Sequence, residues 1–331
     1  MKRFLKGKAI KVISVISVVV MLLFGVATIV SRAMFNRSLM ASVATVFMKC
    51  TKNDASYDDE VARFEKMKTT YEEVYSLPKS VQFDTNWEVR DEAGMQTYYL
   101  NLDAKSGKTV FFIHGGGYVS QPNQQHWEFL NKLIKKTDCS VIAPIYPLAP
   151  YHTYEEAYER IESLYLEWKK ANPDQTVIFM GDSAGGGLAL GVTMDLRDGG
   201  KELPDKMVLI SPWVDISMKN PDIANYEDDD AILAVEPLKA AAHFWMGEAG
   251  ETNPKVSPIY GKFNSLPDTF IIQGNKDLFY PDVMKFSDML KENKVNVSLE
   301  IGNGLGHVYP IWPIPEANKT IDAIMAFIKT I

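Results

Sequence analysis

The chain reads as an α/β protein built on a mostly parallel, eight-stranded sheet with helices on both faces. Two observations carry that reading. From residue 109 onward, apolar strand-like runs alternate with amphipathic helical stretches, the pattern of repeated β-α units. Most of those runs are apolar at every position rather than at alternate ones, as strands buried on both faces are. A third observation adds to the architecture: an uncharged apolar segment at the N-terminus predicts a transmembrane helix ahead of the body.

Taken in order, residues 1–11 contain Lys2, Arg3, Lys6, Lys8 and Lys11, and residues 12–31 contain no charge. A helix of that length rises about 30 Å, enough to cross a hydrocarbon core. The cationic residues lie mostly ahead of it, with Arg32 and Arg37 behind. This bias predicts residues 1–11 in the cytoplasm, 12–31 as a signal anchor, and the body outside. The alternative is a cleaved signal peptide and a secreted body. Its apolar region is long for that role, and Ser31-Arg32-Ala33 makes a poor cleavage site. Residues 38–48, "SLMASVATVFM", are too short to span. They suit an interfacial helix, or a flap packed on the body. Residues 49–60 read as a polar linker.

Strands are expected at 81–90, 95–102, 109–115, 140–147, 176–182, 206–212, 268–274 and 297–303. The first two, joined by "DEAG", read as an antiparallel hairpin at the sheet edge. Helical patterns fall near 124–137, 153–171, 184–198, 236–246, 281–293 and 316–330. The last strand and helix offer a surface through which a homodimer could form.

Composition narrows the function. The net charge is -7 over 331 residues, and no basic stripe marks a nucleic-acid surface. Cys50 and Cys139 lie far apart and read as two unpaired thiols, with no Cys/His spacing for a metal. The histidines are His114, His126, His152, His243 and His307, a short roster for a general base.

"VIFMGDSAGGGLAL" (177–190) joins a buried strand to a small-residue helix. Ser183 is flanked at two residues' distance by Gly181 and Gly185, the G-x-S-x-G spacing that lifts a serine off a sharp strand-to-helix turn. A phosphate loop fails on residue type, because no Lys-Ser/Thr pair follows the glycines. "FFIHGGGYVS" (111–120) places Gly115, Gly116 and Gly117 after another buried strand. With the amide of Ala184 they are candidate donors to an oxyanion. His114, at the strand end, reads as a structural hydrogen-bonder rather than the base. Asp277 and His307 lie in loops after the last two strands, at the carboxyl edge where α/β sites form. Ser183, Asp277, His307 follow the chain order of a hydrolase triad: nucleophile, orienting acid, base. Asp282 is the alternative carboxylate. Asp228–Asp230 read as a solvated loop or helix start. Phe244, Trp245 and Met246 suit either an acyl pocket or core packing.

Together, HGGGY, GDSAGG, the Gly-x-x-Asp loop and the late Gly-x-x-x-Gly-His loop resemble the hormone-sensitive-lipase-like branch of the α/β hydrolases. Flanking "YPLAPYHTYEEAYE" (146–159), "SPWVDIS" (211–217) and "NPKVSPIYGKFNSLPD" (253–268) agree. Pro147 and Tyr151 depart from the Arg and acidic residue common in that family. The resemblance covers roughly residues 80–330. It implies the α/β-hydrolase fold over 79–331, a helical cap formed by residues 32–78 with an insertion near 215–250, and carboxylic ester hydrolysis through an acyl-enzyme. It implies no cofactor and a small-molecule or lipid-like ester substrate. A peptidase on the same fold lacks room here for its usual extra domain. A non-catalytic binding homologue is disfavoured because Ser183, Asp277 and His307 are all present.

Overall fold

The computed structural model describes residues 20–70 and 74–330. Eight strands form one sheet: β1 (Trp87–Glu92), β2 (Met95–Leu100), β3 (Lys108–Ile113), β4 (Ser140–Pro144), β5 (Thr176–Asp182), β6 (Lys206–Ile210), β7 (Asp268–Gly274) and β8 (Val297–Gly302). Their order is β1-β2-β4-β3-β5-β6-β7-β8. β1, β2 and β4 pair antiparallel, and every pairing from β4 to β8 is parallel. From β3 to β7 the strands are almost wholly buried, which is why their sequences are apolar throughout. β1 is the exposed edge. It turns into β2 through Ala93 and Gly94, both at positive φ, as a two-residue hairpin of matching twist requires.

The expected strand at 81–90 begins only at Trp87. Residues before it are tied to a helix instead, where Asn131 accepts the Asp84 amide and donates to Gln82 O. Phe83 packs edge-on against both Trp127 of that helix and Trp87 at the start of β1.

The described helices are α1 (Val20–Phe35), α2 (Leu39–Thr51), α3 (Tyr57–Lys68), α4 (Gln124–Thr137), α5 (Tyr154–Ala171), α6 (Ala184–Asp198), α7 (Val235–Met246), α8 (Tyr280–Glu292) and α9 (Pro315–Lys329). α4 and α9 cover one face of the sheet, and α5, α6 and α8 the other. α3 packs on α7 through Phe64 and Phe244, ring centroids 5.3 Å apart. The linker expected at 49–60 is thus mostly helix. Ser56 caps α3 by accepting the Asp59 amide, and Asp58, Asp59 and Glu60 occupy its first turn, where the helix dipole favours acids. Of the predicted anchor at 12–31, residues 12–19 lie outside the described residues. Among the described residues no single helix is long and apolar enough to cross a membrane, and α1 and α2 form a pair bent by 76°. Cys50 is exposed and Cys139 buried, neither in a disulfide.

The chain leaves β3 toward β4 on one side and returns to β5 on the other. This switch point opens a crevice at the carboxyl ends of adjacent strands, the standard ligand position in open α/β sheets. Ile113 is paired in register with Gly181, which brings the HGGG and GDSAG turns side by side.

Candidate active site

Ser183 is the single residue between β5 and α6, at φ 53° and ψ −125°. Such a backbone costs a non-glycine residue on the order of 1–3 kcal/mol and persists only when the surroundings hold it. Here the Ser183 amide donates to Ile210 O at 2.8 Å, and its carbonyl accepts from Trp213 N at 2.9 Å and Gly187 N at 3.1 Å. The flanking glycines answer to crowding. A Cβ on Gly181 would collide with Gly185 O, and one on Gly185 with Ile113 O and His114 O. Gly187, for which the sequence suggests no reason, lies against Trp213 O.

Three expected residues come together. Ser183 Oγ is 2.9 Å from His307 Nε2, and His307 Nδ1 is 3.0 Å from Asp277 Oδ2. The carboxylate accepts, so Nδ1 carries the proton and Nε2 is left to accept from the serine hydroxyl. The other oxygen of Asp277 accepts the Phe279 amide at 2.9 Å. The Phe279 ring stands edge-on to the imidazole at 5.2 Å. Ser211 Oγ accepts the Val308 amide at 3.1 Å and fixes the loop from behind. All three side chains are buried. Burial by itself would lower the His307 pKa, but Asp277, then Asp230 and Asp182, outweigh it and raise the pKa above its ordinary value.

The alternatives separate cleanly. Asp282 accepts from Asn220 Nδ2 at 2.7 Å, away from the imidazole, and burial pushes it up to about 6. His114 Nδ1 donates to Gly115 O at 2.7 Å, and its ring stacks on Tyr146 at 4.4 Å. Burial pushes it down to about 4, so His114 is a neutral structural ring, as the sequence suggests.

One oxyanion candidate needs correction. The Gly115 amide donates to Asp182 Oδ1 at 2.9 Å and is not free to meet a substrate oxygen. Gly116 and Gly117, at φ 123° and 63°, line the cleft beside Ser183. Their amides have no acceptor among the described residues. Ala184 opens α6, where an amide has no partner within the helix.

Two buried carboxylates escaped the sequence reading. Asp182, next to the serine, holds the Gly115 amide and lies 3.3 Å from His126 Nε2. Asn123, which caps α4, meets His126 Nδ1 with its amide at 3.1 Å and its Oδ1 at 2.9 Å, and Nε2 donates to the Asp182 carboxylate. Burial opposes the Asp182 charge, yet His126 and the Gly115 amide hold its pKa below the ordinary value. Asp230 is 1% exposed, contrary to the solvated loop expected for the acidic run. Its Oδ1 accepts the Ile232 and Leu233 amides at 2.7 and 2.9 Å, and its Oδ2 the Leu278 amide at 2.7 Å. It thereby ties the wall of the cleft to the residue after Asp277. Burial, then the nearby Asp277 charge, pushes it up to about 6.

The cleft above Ser183 holds about 340 Å³ and is walled by Phe64, Leu233, Leu238, Ala241, Ile311 and Trp312. Phe244 and Trp245 lie behind that wall: Phe244 packs on Phe64, and Trp245 stacks on Tyr118 at 4.2 Å. They belong to the core.

A nucleophile-elbow serine on this sheet, with an acid and a histidine after the last two strands, defines a class. Comparison with known proteins supports it. The model of a family described as alpha/beta hydrolase fold matches residues 110–311. An esterase of Acinetobacter venetianus is 28% identical over 241 residues, spanning 71% of this chain and 79% of that protein. An acetyl-hydrolase of Streptomyces hygroscopicus is 26% identical over 231 residues, 68% of this chain and 77% of that protein. A solved Staphylococcus aureus structure covers 85% of this chain and 94% of its own, with TM-score 0.78 and 28% identity. An esterase structure from the bacterial hormone-sensitive lipase family shares the fold, with TM-score 0.74 at 23% identity over 87% of this chain and 97% of that one. The chain belongs to the α/β-hydrolase fold family. Within it, the chain is a carboxylesterase- and lipase-like hydrolase.

Proposed function

We propose that the protein hydrolyses small or lipid-like carboxylic esters through an acyl-enzyme on Ser183. The observation that carries this reading is the chain of hydrogen bonds from Ser183 through His307 to Asp277, lying under an apolar cleft. Ser183 Oγ attacks the ester carbonyl as His307 Nε2 takes its proton. Asp277 holds the imidazole in the accepting tautomer and stabilises the imidazolium. The carbonyl oxygen becomes an oxyanion and receives the amides of Gly116, Gly117 and Ala184. Each such donor is worth about 3–4 kcal/mol in the transition state. Collapse breaks the bond to the alcohol, which leaves with the proton from His307. Water then enters, His307 takes its proton, and attack on the acyl carbon releases the acid and restores Ser183.

Asp182 and His126 serve this chemistry by position. By taking the Gly115 amide they hold the glycine turn against the elbow, so that the next two amides face the cleft. We also propose that residues 12–31 anchor the chain in a membrane with the body on the extracytoplasmic side, on the strength of the uncharged run and the cationic residues ahead of it.

The full chain and Ser183→Ala should be compared on nitrophenyl esters from acetate to palmitate. The variant is expected to lose hydrolysis at every chain length. Equal rates from both proteins overturn the assignment. Protease added outside intact cells should digest the body, and protection contradicts the orientation.

A further inference from the structure

We infer that α2 is an interfacial helix: its outer face lies in the headgroup layer of a bilayer, and its inner face packs beside His307, so that the site is held at the surface from which membrane-resident amphiphilic esters arrive. The inference rests on the hydrolase reading above and deepens it, because it names the phase from which the substrate arrives.

The outer face is apolar and uncovered. Met40, Val43, Val46 and Phe47 are 57, 61, 64 and 70% exposed. Helical spacing puts 40, 43 and 47 on one stripe with 46 beside it. In water such a stripe is a liability, and a contiguous exposed apolar patch marks a membrane or partner surface. The inner face is different. Ala41 is buried, and Ala44, Thr45 and Met48 line a narrow space that continues to Leu305 and His307. His307, Trp312 and Ile232 border both this space and the cleft that holds Ser183. α2 therefore separates the exterior from the imidazole by the thickness of one helix.

The attachment is firm. Arg37 Nη1 donates to Gly304 O at 2.9 Å, on the loop that carries His307. Ser38 Oγ donates to Glu316 at 2.9 Å. Lys49 and Lys52 donate to the carbonyls of Asp228 and Glu227 at 2.7 and 2.9 Å. Whatever covers the outer face of α2 thus sets the height and tilt of the whole site.

Two features identify the occupant as a lipid bilayer. The first is continuity: α1 exposes Leu22, Leu23, Phe24, Ile29 and Met34, and its sequence runs back into the uncharged residues 12–19. The 76° bend between α1 and α2 lets one follow the bilayer normal while the other lies near the plane, as interfacial amphipathic helices do. The second is charge. No acidic residue precedes Asp54, whereas Arg32, Arg37, Lys49 and Lys52 flank the bend and the helix. Arg37, Lys49 and Lys52 bind the body, and the exposed Arg32 beside the bend suits a layer of lipid phosphates.

The test uses the full chain in vesicles of phosphatidylcholine and phosphatidylglycerol. Cys50 is exposed and Cys139 buried, so a bimane maleimide labels the end of α2. Cys50 is seven residues from Val43, on the outer stripe. The expected result is a blue-shifted emission that is quenched by lipids brominated near the headgroup end of the chain. Emission unchanged by vesicles overturns the inference. In parallel, Val43→Glu/Phe47→Glu should reduce hydrolysis of vesicle-embedded nitrophenyl palmitate at least about tenfold, and leave water-borne nitrophenyl acetate within about twofold. Loss on both esters alike, or on neither, overturns it. Should α2 bind a protein instead, the label would stay unshifted in pure lipid. Failure of the hydrolase reading is distinguishable, because Ser183→Ala would then still cleave the acetate while the Cys50 label reports docking independently.

Discussion

Asp277→Asn keeps the shape of the site and inverts one hydrogen bond. In the native site Oδ1 accepts the Phe279 amide at 2.9 Å and Oδ2 accepts His307 Nδ1–H at 3.0 Å. An asparagine has one oxygen for the two positions. The Phe279 N–H can be met only by that oxygen, so the amide nitrogen turns toward His307 as a donor. The ring must then accept at Nδ1 and carry its proton on Nε2, 2.9 Å from Ser183 Oγ. No base remains to take the serine proton. The equivalent change in a serine-protease triad lowers kcat about 10⁴-fold, or about 5.4 kcal/mol at 1.36 kcal/mol per tenfold. The loss here should have that size. The assay is steady-state hydrolysis of nitrophenyl butyrate at pH 8, with a thermal melt beside it and the imidazole ¹⁵N shifts to report the tautomer. A kcat within about tenfold of the native value, from a protein that melts normally, would refute the tautomer argument.

Three further outcomes follow from the same geometry. In the proposed mechanism His307 is the base and must be neutral to act; its pKa is raised above the ordinary 6.5, so kcat/KM should fall as pH drops through a value above 6.5. Asp230→Asn removes one of the charges that favour the imidazolium and should move that limb to lower pH. A limb at or below 6.5 in the native protein, or an upward move in the variant, counts against this. Gly185→Ala drives a methyl into Ile113 O and His114 O, backbone atoms that cannot yield, and should cost at least about 1–3 kcal/mol in a denaturation experiment. Gly250→Ala, with open space around it, is the control and should stay within about 0.5 kcal/mol.

The central strands were legible because burial on both faces writes itself into composition. The expected runs at 176–182 and 268–274 coincide with β5 and β7, and those at 124–137 and 184–198 with α4 and α6. The hydrogen-bonded set Ser183, His307 and Asp277 was legible because each member follows a strand at the same edge of the sheet, so chain order alone aligns them. What was not legible depends on partners distant in sequence. The HGGG motif identifies a backbone stretch but not which of its amides is already engaged, and Asp182 takes the one from Gly115. Asp228, Asp229 and Asp230 look alike in sequence, and only the path of the loop buries the third against Leu278. Residues 49–60 were misread because polar residues were equated with a linker, although Ser56 followed by three acids is a helix-start signal. The strand expected from residue 81 fails for a similar reason: the alternation there serves contacts with α4.

The most direct test of the central claim is covalent. A fluorophosphonate probe reacts only with a serine that a neighbouring base has activated. Mass analysis of the digested, inactivated protein should place one phosphonyl group per chain on Ser183, with label and activity loss rising together and Ser183→Ala unlabelled. A fully active ester hydrolase whose Ser183 stays unmodified, or a label that maps to another serine, would contradict it.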